Sequence, residues 1–375
     1  MEKSVVVVIG TRPEAIKLLP VYLHLKKIGI PTVLCVTHQH KHMLDAVLDI
    51  FQVSPDYPLD IMIPGQQLDY ITGAVVQKTY TLFKDINPAL VVVQGDTTTA
   101  YGSSLAAFYL HIPVAHVEAG LRTGNKWAPF PEEINRQCIT TYADLHFAPT
   151  PLNVLHVLRA GIPASAVFCV GNTVVDALYM IRQKIQKGIL VPNVFVRELV
   201  EQKNREKKKL VLLTTHRRES FDGGLASILR AIKNFAQAFS DVMLLFPVHP
   251  NPIVQAEVEK AGLHEIQNIL LTSPLSYSDL VYVLDAVNFV ITDSGGIQEE
   301  AVCLGKSVIV LRDFTERVES IWSGMSTLAG TNQMEIERMC RELYYCSREG
   351  KAQFVYGDGK SSERISSIIM KKEYV

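Results

Sequence analysis

Charged residues recur where apolar runs end. Arg12 and Lys17 follow VVVVIG, Asp96 follows LVVVQG, Glu118 follows VAHV directly, and Glu132 follows PFP. A carboxylate directly after an apolar strand is unusual, because strand interiors do not tolerate an unpaired charge. Glu118 therefore reads as functional. Asp96 could instead cap the helix that follows it, and Glu132 could favour the macrodipole of a helix beginning there. On one edge of one sheet the three acids push one another's pKa up, which suits acid/base work near neutral pH.

The cations suit an anion. Pro13 fits the first turn of a helix, whose N-terminus binds anions, and Arg12 adds a bidentate donor. Lys17 lies one turn further in, where a plain surface lysine is the alternative. In the second half, His216, Arg217 and Arg218 follow LVLLTT, and a diphosphate or sugar phosphate is their natural partner. The stretch TDSGGIQEE places Ser294, Gly295 and Gly296 at a helix start that exposes backbone N–H groups to phosphate, with Glu300 able to take a ribose diol. Acids and a lysine in one half, with cations and a Gly-rich helix start in the other, argue for a sugar nucleotide spanning a cleft.

The elements that must carry these residues follow from periodicity. Val5–Ile9, Thr32–Val36, Leu90–Gln94, Val114–Val117 and Leu145–Ala148 read as buried parallel strands. Helical stretches Glu14–Ile28, Gln39–Phe51, Leu68–Ile86, Thr99–Leu110 and Pro131–Tyr142 alternate with them. A helix at Asp176–Lys187 and the solvated EQKNREKKK stretch lead into a second series: Leu210–Thr214, Val242–Phe246, Ile269–Leu271, Phe289–Thr292 and Ser307–Leu311. This predicts an α/β chain of two Rossmann-like domains facing a cleft, with ligands at the carboxyl ends of the strands. The expected domains are 1–171, with a C-terminal helix at about 360–375 packing back on it, and 172–359.

Composition narrows the class. A chain of 375 residues with 48% hydrophobic content can fill two cores, and its net charge of -1 gives no global basic field for nucleic acid. No apolar run spans a bilayer and no signal-peptide core follows Met1. Six scattered Cys without a CxxC pair suit a reducing cytosol. The His-rich stretch HQHKH reads as a hydrophilic helix start rather than a zinc site. No metal or other cofactor is expected.

The motifs VIGTRPEAIKLLP, VVVQGDTTTA, HVEAGLRTG, PFPEEINR, VGNTVVDAL, TTHRRES, PVHPNP, TDSGGIQEEA and VLRDFTER run through nearly the whole chain. In order and spacing the chain resembles the non-hydrolysing UDP-N-acetylglucosamine 2-epimerases, bacterial enzymes of glycosyltransferase-B fold. These interconvert UDP-GlcNAc and UDP-ManNAc for cell-surface polysaccharide synthesis. The resemblance implies that Lys17, Asp96, Glu118 and Glu132 surround the reacting sugar and that Arg12 and His216 contact the diphosphate. It implies a phosphate cradle at Ser294, Gly295 and Gly296, a ribose contact at Glu300, and a uridine-side loop holding Arg312 and Thr315 to Arg317. It also implies anti elimination of UDP to 2-acetamidoglucal followed by re-addition, a homodimer, and UDP, UDP-GlcNAc and UDP-ManNAc as ligands.

Many members bind a second, activating UDP-GlcNAc. Gln39, His40, His42, Gln66 and Gln67 fall in the places that form that site. His42 stands where an acid or Gln is common, Gln66 where some members have Arg, and Val318 where Pro is usual. The alternatives are a hydrolysing relative that releases ManNAc and UDP, and a glycosyltransferase of the same fold. Hydrolysing relatives usually lack the Pro-Glu after the Arg, which this chain keeps as Pro13 and Glu14.

Overall fold

The apolar runs form two fully parallel sheets, each buried under helices as such sheets require. The computed structural model of the chain describes residues 3–39, 41–63, 65–215, 224–346 and 354–372, with Lys41 and His42 described by backbone alone. The chain divides into two units, Met1–Tyr179 with Tyr356–Val375, and Met180–Val355.

In the first unit the elements run β1 Val5–Ile9, α1 Arg12–Lys27, β2 Thr32–Val36, α2 Lys41–Phe51, β3 Tyr57–Pro58, α3 Leu68–Ile86 and β4 Leu90–Gln94. They continue with α4 Thr98–Tyr109, β5 Val114–Val117, α5 Glu132–Tyr142, β6 Leu145–Ala148, α6 Pro151–Arg159 and β7 Val167–Cys169, and α7 Thr173–Gln186 runs from this unit into the second at Tyr179. The sheet order is β3-β2-β1-β4-β5-β6-β7. The order reverses direction between β1 and β4, and the crevice at that switch point is where ligands of such sheets bind.

The second unit contains α8 Val194–Glu206, β8 Lys209–Thr214, α9 Gly224–Ala238, β9 Val242–Pro247, α10 Pro252–Lys260, β10 Ile269–Thr272 and α11 Tyr277–Ala286. Then come β11 Phe289–Thr292, α12 Gly295–Cys303, β12 Ser307–Val310, α13 Val318–Trp322, β13 Ser326–Leu328 and α14 Gln333–Tyr345. Its sheet order is β10-β9-β8-β11-β12-β13, with the switch point between β8 and β11. The last helix, α15 Ser361–Lys371, packs on α1 of the first unit. Asp176 of α7 holds its start by accepting the Ser361 and Ser362 N–H groups at 3.2 and 2.7 Å.

Two Rossmann-like units match the expected fold class. The differences lie at edges and ends. β3, β7 and β13 are absent from the strands expected, since two- or three-residue edge strands carry no apolar run. Helix α1 starts at Arg12 rather than Glu14, because Pro13 pre-sets the first turn. Helix α2 starts at Lys41 rather than Gln39. His38 there turns left-handed, φ 54°, with its ring nitrogens 3.1 Å from Asp45 and 2.8 Å from Asp60.

Candidate active site

The first unit gathers its charged residues at the carboxyl ends of β1, β4 and β5. Gly10 ends β1 at a close approach of chain to chain: a Cβ there would lie 2.1 Å from Thr99 Oγ1 and 2.4 Å from Thr37 Oγ1. Those two hydroxyls are 2.9 Å apart. Helix α1 then presents Arg12, half-buried, and one turn later Lys17, buried. Lys17 Nζ lies 2.7 Å from each carboxylate oxygen of Glu118. Glu118 follows β5 with φ 64°, a left-handed conformation that costs a non-glycine residue free energy and recurs at functional sites. Gln94, the last residue of β4, donates to the same carboxylate. Strand-end position, backbone strain and a buried ion pair thus coincide at Glu118.

Asp96 lies in the turn after β4, and its neighbour Gly95 sits beside Glu118, with Oε2 3.8 Å from where a glycine Cβ would point. Asp96 is pinned from α5: Arg136 donates to its carboxylate, and Asn135 Nδ2 donates to its carbonyl at 2.9 Å. Arg136 also reaches Glu133 at 3.2 Å. Glu133 is fully buried and accepts the Thr123 and Gly124 N–H groups at 3.1 and 3.3 Å. Glu132 opens α5, half-buried, one turn before Arg136. Lys17 and Glu118 are in contact, and Asp96 is held by the helix that Glu132 begins. Buried cations pair with two of these acids, Lys17 with Glu118 and Arg136 with Asp96.

Gln94, Thr97 and Arg136 are not singled out by the sequence, which marks Glu14 only as part of the Pro-Glu pair. Glu14 is fully buried and accepts from Gly10 N, Thr11 Oγ1 and Thr97 Oγ1 at 3.0, 2.8 and 2.6 Å. Burial pushes its carboxyl up to about 7, against the pull of the Thr97, Thr11 and Gly10 donors. Beneath the turn, His116 Nε2 donates to Gly95 O at 2.7 Å, so the ring is the Nε2–H tautomer.

His116 and His146 lie opposite one another in the β5–β6 register, both fully buried. Burial pushes His116 down to about 3 and His146 to about 4. As pH falls below the ordinary value of 6.5, the unfolded chain takes up protons that these rings refuse, so the stability they contribute is lost toward acid. Glu14 has the opposite sign: its contribution is complete below 4.5 and lost as pH rises through about 7. His146→Gln is therefore expected to reduce the stability lost between pH 7 and pH 5 by about 2 kcal/mol. Denaturant unfolding at the two pH values reads this, and an unchanged difference would mean that the folded state protonates His146 normally.

In the second unit the Thr214 and Thr292 hydroxyls meet at 2.6 Å across β8 and β11. Thr215 Oγ1 donates to buried Asp293 at 3.0 Å, and Ser294 N donates to Thr292 Oγ1 at 2.9 Å. Ser294 stands at the N-cap of α12 without a side-chain cap bond, leaving first-turn N–H groups for an anion. Glu300, buried on α12, accepts from Tyr277 OH at 2.8 Å. Arg312 follows β12 and pairs with Glu316 at 2.8 Å. His216 and Arg217 lie outside the described residues, directly after Thr215.

The two glycines of the cradle differ. A Cβ at Gly295 would lie 2.7 Å from the guanidinium carbon of Arg317, whereas Gly296 faces open space. Arg317 cannot easily yield, because Glu299 holds it at 3.0 Å and Glu316 bonds its other side. Gly295→Ala should destabilise the unit by about 1–3 kcal/mol through overpacking. Gly296→Ala should leave folding unchanged, because its Cβ would enter open space. Thermal unfolding of both variants checks the contrast.

Of the positions expected for a second ligand, Gln66 Nε2 donates to Gln39 O at 3.2 Å, and Thr99 Oγ1 donates to Gln39 Oε1 at 3.0 Å. Gln67 is exposed at the N-cap of α3. His40 lies outside the described residues, and the side chain of His42 is not described. Among the described residues no group of three or more His, Cys, Asp or Glu could hold a metal ion, and no helix is long and apolar enough to cross a membrane.

The family model described as UDP-N-acetylglucosamine 2-epimerase matches residues 24–370. The UDP-N-acetylglucosamine 2-epimerase of Bacillus subtilis (strain 168) is 43% identical over 367 residues, covering 96% of this chain and 93% of that protein. The crystal structure of UDP-GlcNAc 2-epimerase from Neisseria meningitidis bound to UDP-GlcNAc superposes with a TM-score of 0.90 at 38% identity, covering 98% of this chain and 100% of that one. The Methanocaldococcus jannaschii UDP-GlcNAc 2-epimerase in complex with UDP-GlcNAc and UDP gives 0.84 at 32% identity, covering 98% and 99%.

Proposed function

The chain belongs to the UDP-N-acetylglucosamine 2-epimerase family, and from that premise we propose that it interconverts UDP-GlcNAc and UDP-ManNAc without releasing the sugar. The observation that carries the acid/base part is the buried Lys17–Glu118 pair at 2.7 Å, beside the turn that bears Asp96. A paired lysine keeps a buried carboxylate ionised, and an ionised carboxylate can accept a proton.

In the forward direction a carboxylate takes the proton on C2 as the bond from C1 to the β-phosphate oxygen breaks. The electron pair of the C–H bond forms the C1–C2 double bond of 2-acetamidoglucal, and UDP leaves as the anion. For the return, a β-phosphate oxygen attacks C1 while a proton reaches the opposite face of C2. Two faces require two acid/base positions, which Asp96, Glu118 and Glu132 supply between them. Arg12, His216, Arg217 and the amides of Ser294, Gly295 and Gly296 stabilise the departing diphosphate. Glu300 holds the ribose, and Arg312 borders the uridine.

Retention of Pro13 and Glu14 after Arg12 favours this reading over a hydrolytic one. The proposal includes catalysis without metal or redox cofactor by a cytoplasmic homodimer that supplies cell-surface polysaccharide synthesis. The test is incubation with UDP-GlcNAc in deuterated water, followed by proton NMR. UDP-ManNAc labelled at C2 with UDP attached supports the proposal. Free ManNAc and UDP would replace it with the hydrolysing reaction, and an unaltered sugar would leave a different sugar nucleotide or a transferase awaiting its acceptor. A sigmoidal rate curve in UDP-GlcNAc that Gln66→Ala abolishes would assign a second, activating site to the Gln39–Gln66 region.

A further inference from the structure

Glu14 takes no part in the steps above, yet it is fully buried and its described partners are all neutral donors. Burying a carboxylate without a cation is costly, and an apolar side chain would fill the same space more cheaply. Its two oxygens are divided between two turns. Oε2 accepts the Gly10 N–H and the Thr11 hydroxyl, closing the turn from β1 into α1. Oε1 accepts the hydroxyl of Thr97, which belongs to the turn from β4 into α4 and lies 83 residues away in sequence. Thr97 Oγ1 also accepts the Ala100 N–H at 3.0 Å, so one hydroxyl caps α4 and joins the turns. Arg12 and Lys17 flank Glu14 on α1, and Asp96 directly precedes Thr97.

We propose that Glu14 is a positioning residue that bridges the two turns and so fixes where Arg12 and Lys17 stand relative to Asp96. Its kinetic consequence rests on the epimerase reading; the bridge itself does not. Thr97→Val, close to isosteric, removes the bridge and the cap, whereas Thr97→Ser keeps both. With the bridge gone, kcat for UDP-GlcNAc should fall by about 10- to 100-fold, the scale of an ångström-sized misplacement, with KM within about threefold. Thr97→Ser should keep at least half of the wild-type kcat.

Glu14→Ala separates the bridge from the cap. In that background Thr97→Val should lower kcat no further, although loss of the cap still lowers the unfolding temperature. Amide exchange at Gly10 reads the bridge without turnover: its N–H rests on Glu14 Oε2, so Thr97→Val should speed it by about tenfold. Effects on kcat that multiply in the double variant, or Gly10 exchange unchanged in Thr97→Val, would overturn the proposal. Wild-type protein that leaves UDP-GlcNAc untouched would instead overturn the functional reading, and Gly10 exchange would then decide the bridge alone.

Discussion

With Gln in place of Glu118, epimerisation falls by about 10²- to 10⁴-fold, the range for loss of a general acid or base. UDP binding stays within about threefold, because the expected nucleotide contacts lie elsewhere. The substitution keeps the shape of a side chain that is almost wholly enclosed. It also strips the charge from the partner of Lys17, whose ammonium is itself buried and lies 2.7 Å away. Breaking a buried ion pair by removing one of its charges typically costs about 3–5 kcal/mol, so lost turnover could be confused with lost structure. The pair of variants Glu118→Gln and Glu118→Gln with Lys17→Met separates the two. Removing both charges of the pair should restore part of the stability and none of the turnover. Deuterium uptake at C2, followed by NMR with UDP affinity from calorimetry, reads the outcome. Near-wild-type uptake in Glu118→Gln would remove Glu118 from the chemistry.

Glu118 was visible in the sequence because a carboxylate directly after VAHV contradicts the pattern around it. The same logic exposed Asp96 and the Ser294–Gly296 helix start, since the end of a parallel strand is predictable from its apolar run. What stayed hidden depends on pairing between distant segments. Arg136 reads as an ordinary polar position on an amphipathic helix, and nothing in EEINRQ says that it meets Asp96, 40 residues earlier. Glu14 looks like a helix-start acid placed for the macrodipole; only the packing of β1 beside β4 brings Thr97 to it. Gln94 looks like the frayed end of a strand, yet it donates to Glu118 because β4 and β5 are paired in register, Gln94 opposite Val117. Local pattern located the strand ends, and sheet order decided which ends met.

The strand order also explains why these supports are charged or hydroxylic rather than apolar. Three strand-end turns, after β1, β4 and β5, converge on the first unit's switch point, and each ends in backbone N–H and C=O groups that the sheet no longer pairs. Side chains satisfy them: Glu14 takes the Gly10 N–H, His116 the Gly95 carbonyl, Asn135 the Asp96 carbonyl, and Glu133 two N–H groups of the loop before α5. The groups expected to react are thereby set on turns whose own hydrogen bonds are already closed. Such preorganisation spares the reaction the cost of arranging them.

Arg136 is where this scheme can be broken most widely. Its Nη2 serves Asp96 and its Nη1 serves Glu133, 3.2 Å away, so one guanidinium neutralises two acids. Arg136→Met, which keeps the length and removes the charge, leaves buried Glu133 with neutral hydrogen-bond donors and the nearby Arg122 charge, and releases Asp96 from its orienting bond. The expected loss is about 3–5 kcal/mol of stability, as for other broken buried pairs, with kcat lowered by about 100-fold through misplacement of Asp96. Arg136→Lys should not rescue either quantity, because one ammonium cannot hold the two-pronged geometry. Adding Glu133→Gln to Arg136→Met removes the stranded buried charge. It should return part of the stability and leave kcat low, since Asp96 still lacks its partner. Thermal unfolding and turnover measured across these variants give the answer. Full activity in Arg136→Met would show that Asp96 needs no orientation from α5, and unchanged stability would show that Glu133 is satisfied by its amide donors and the Arg122 charge without Arg136.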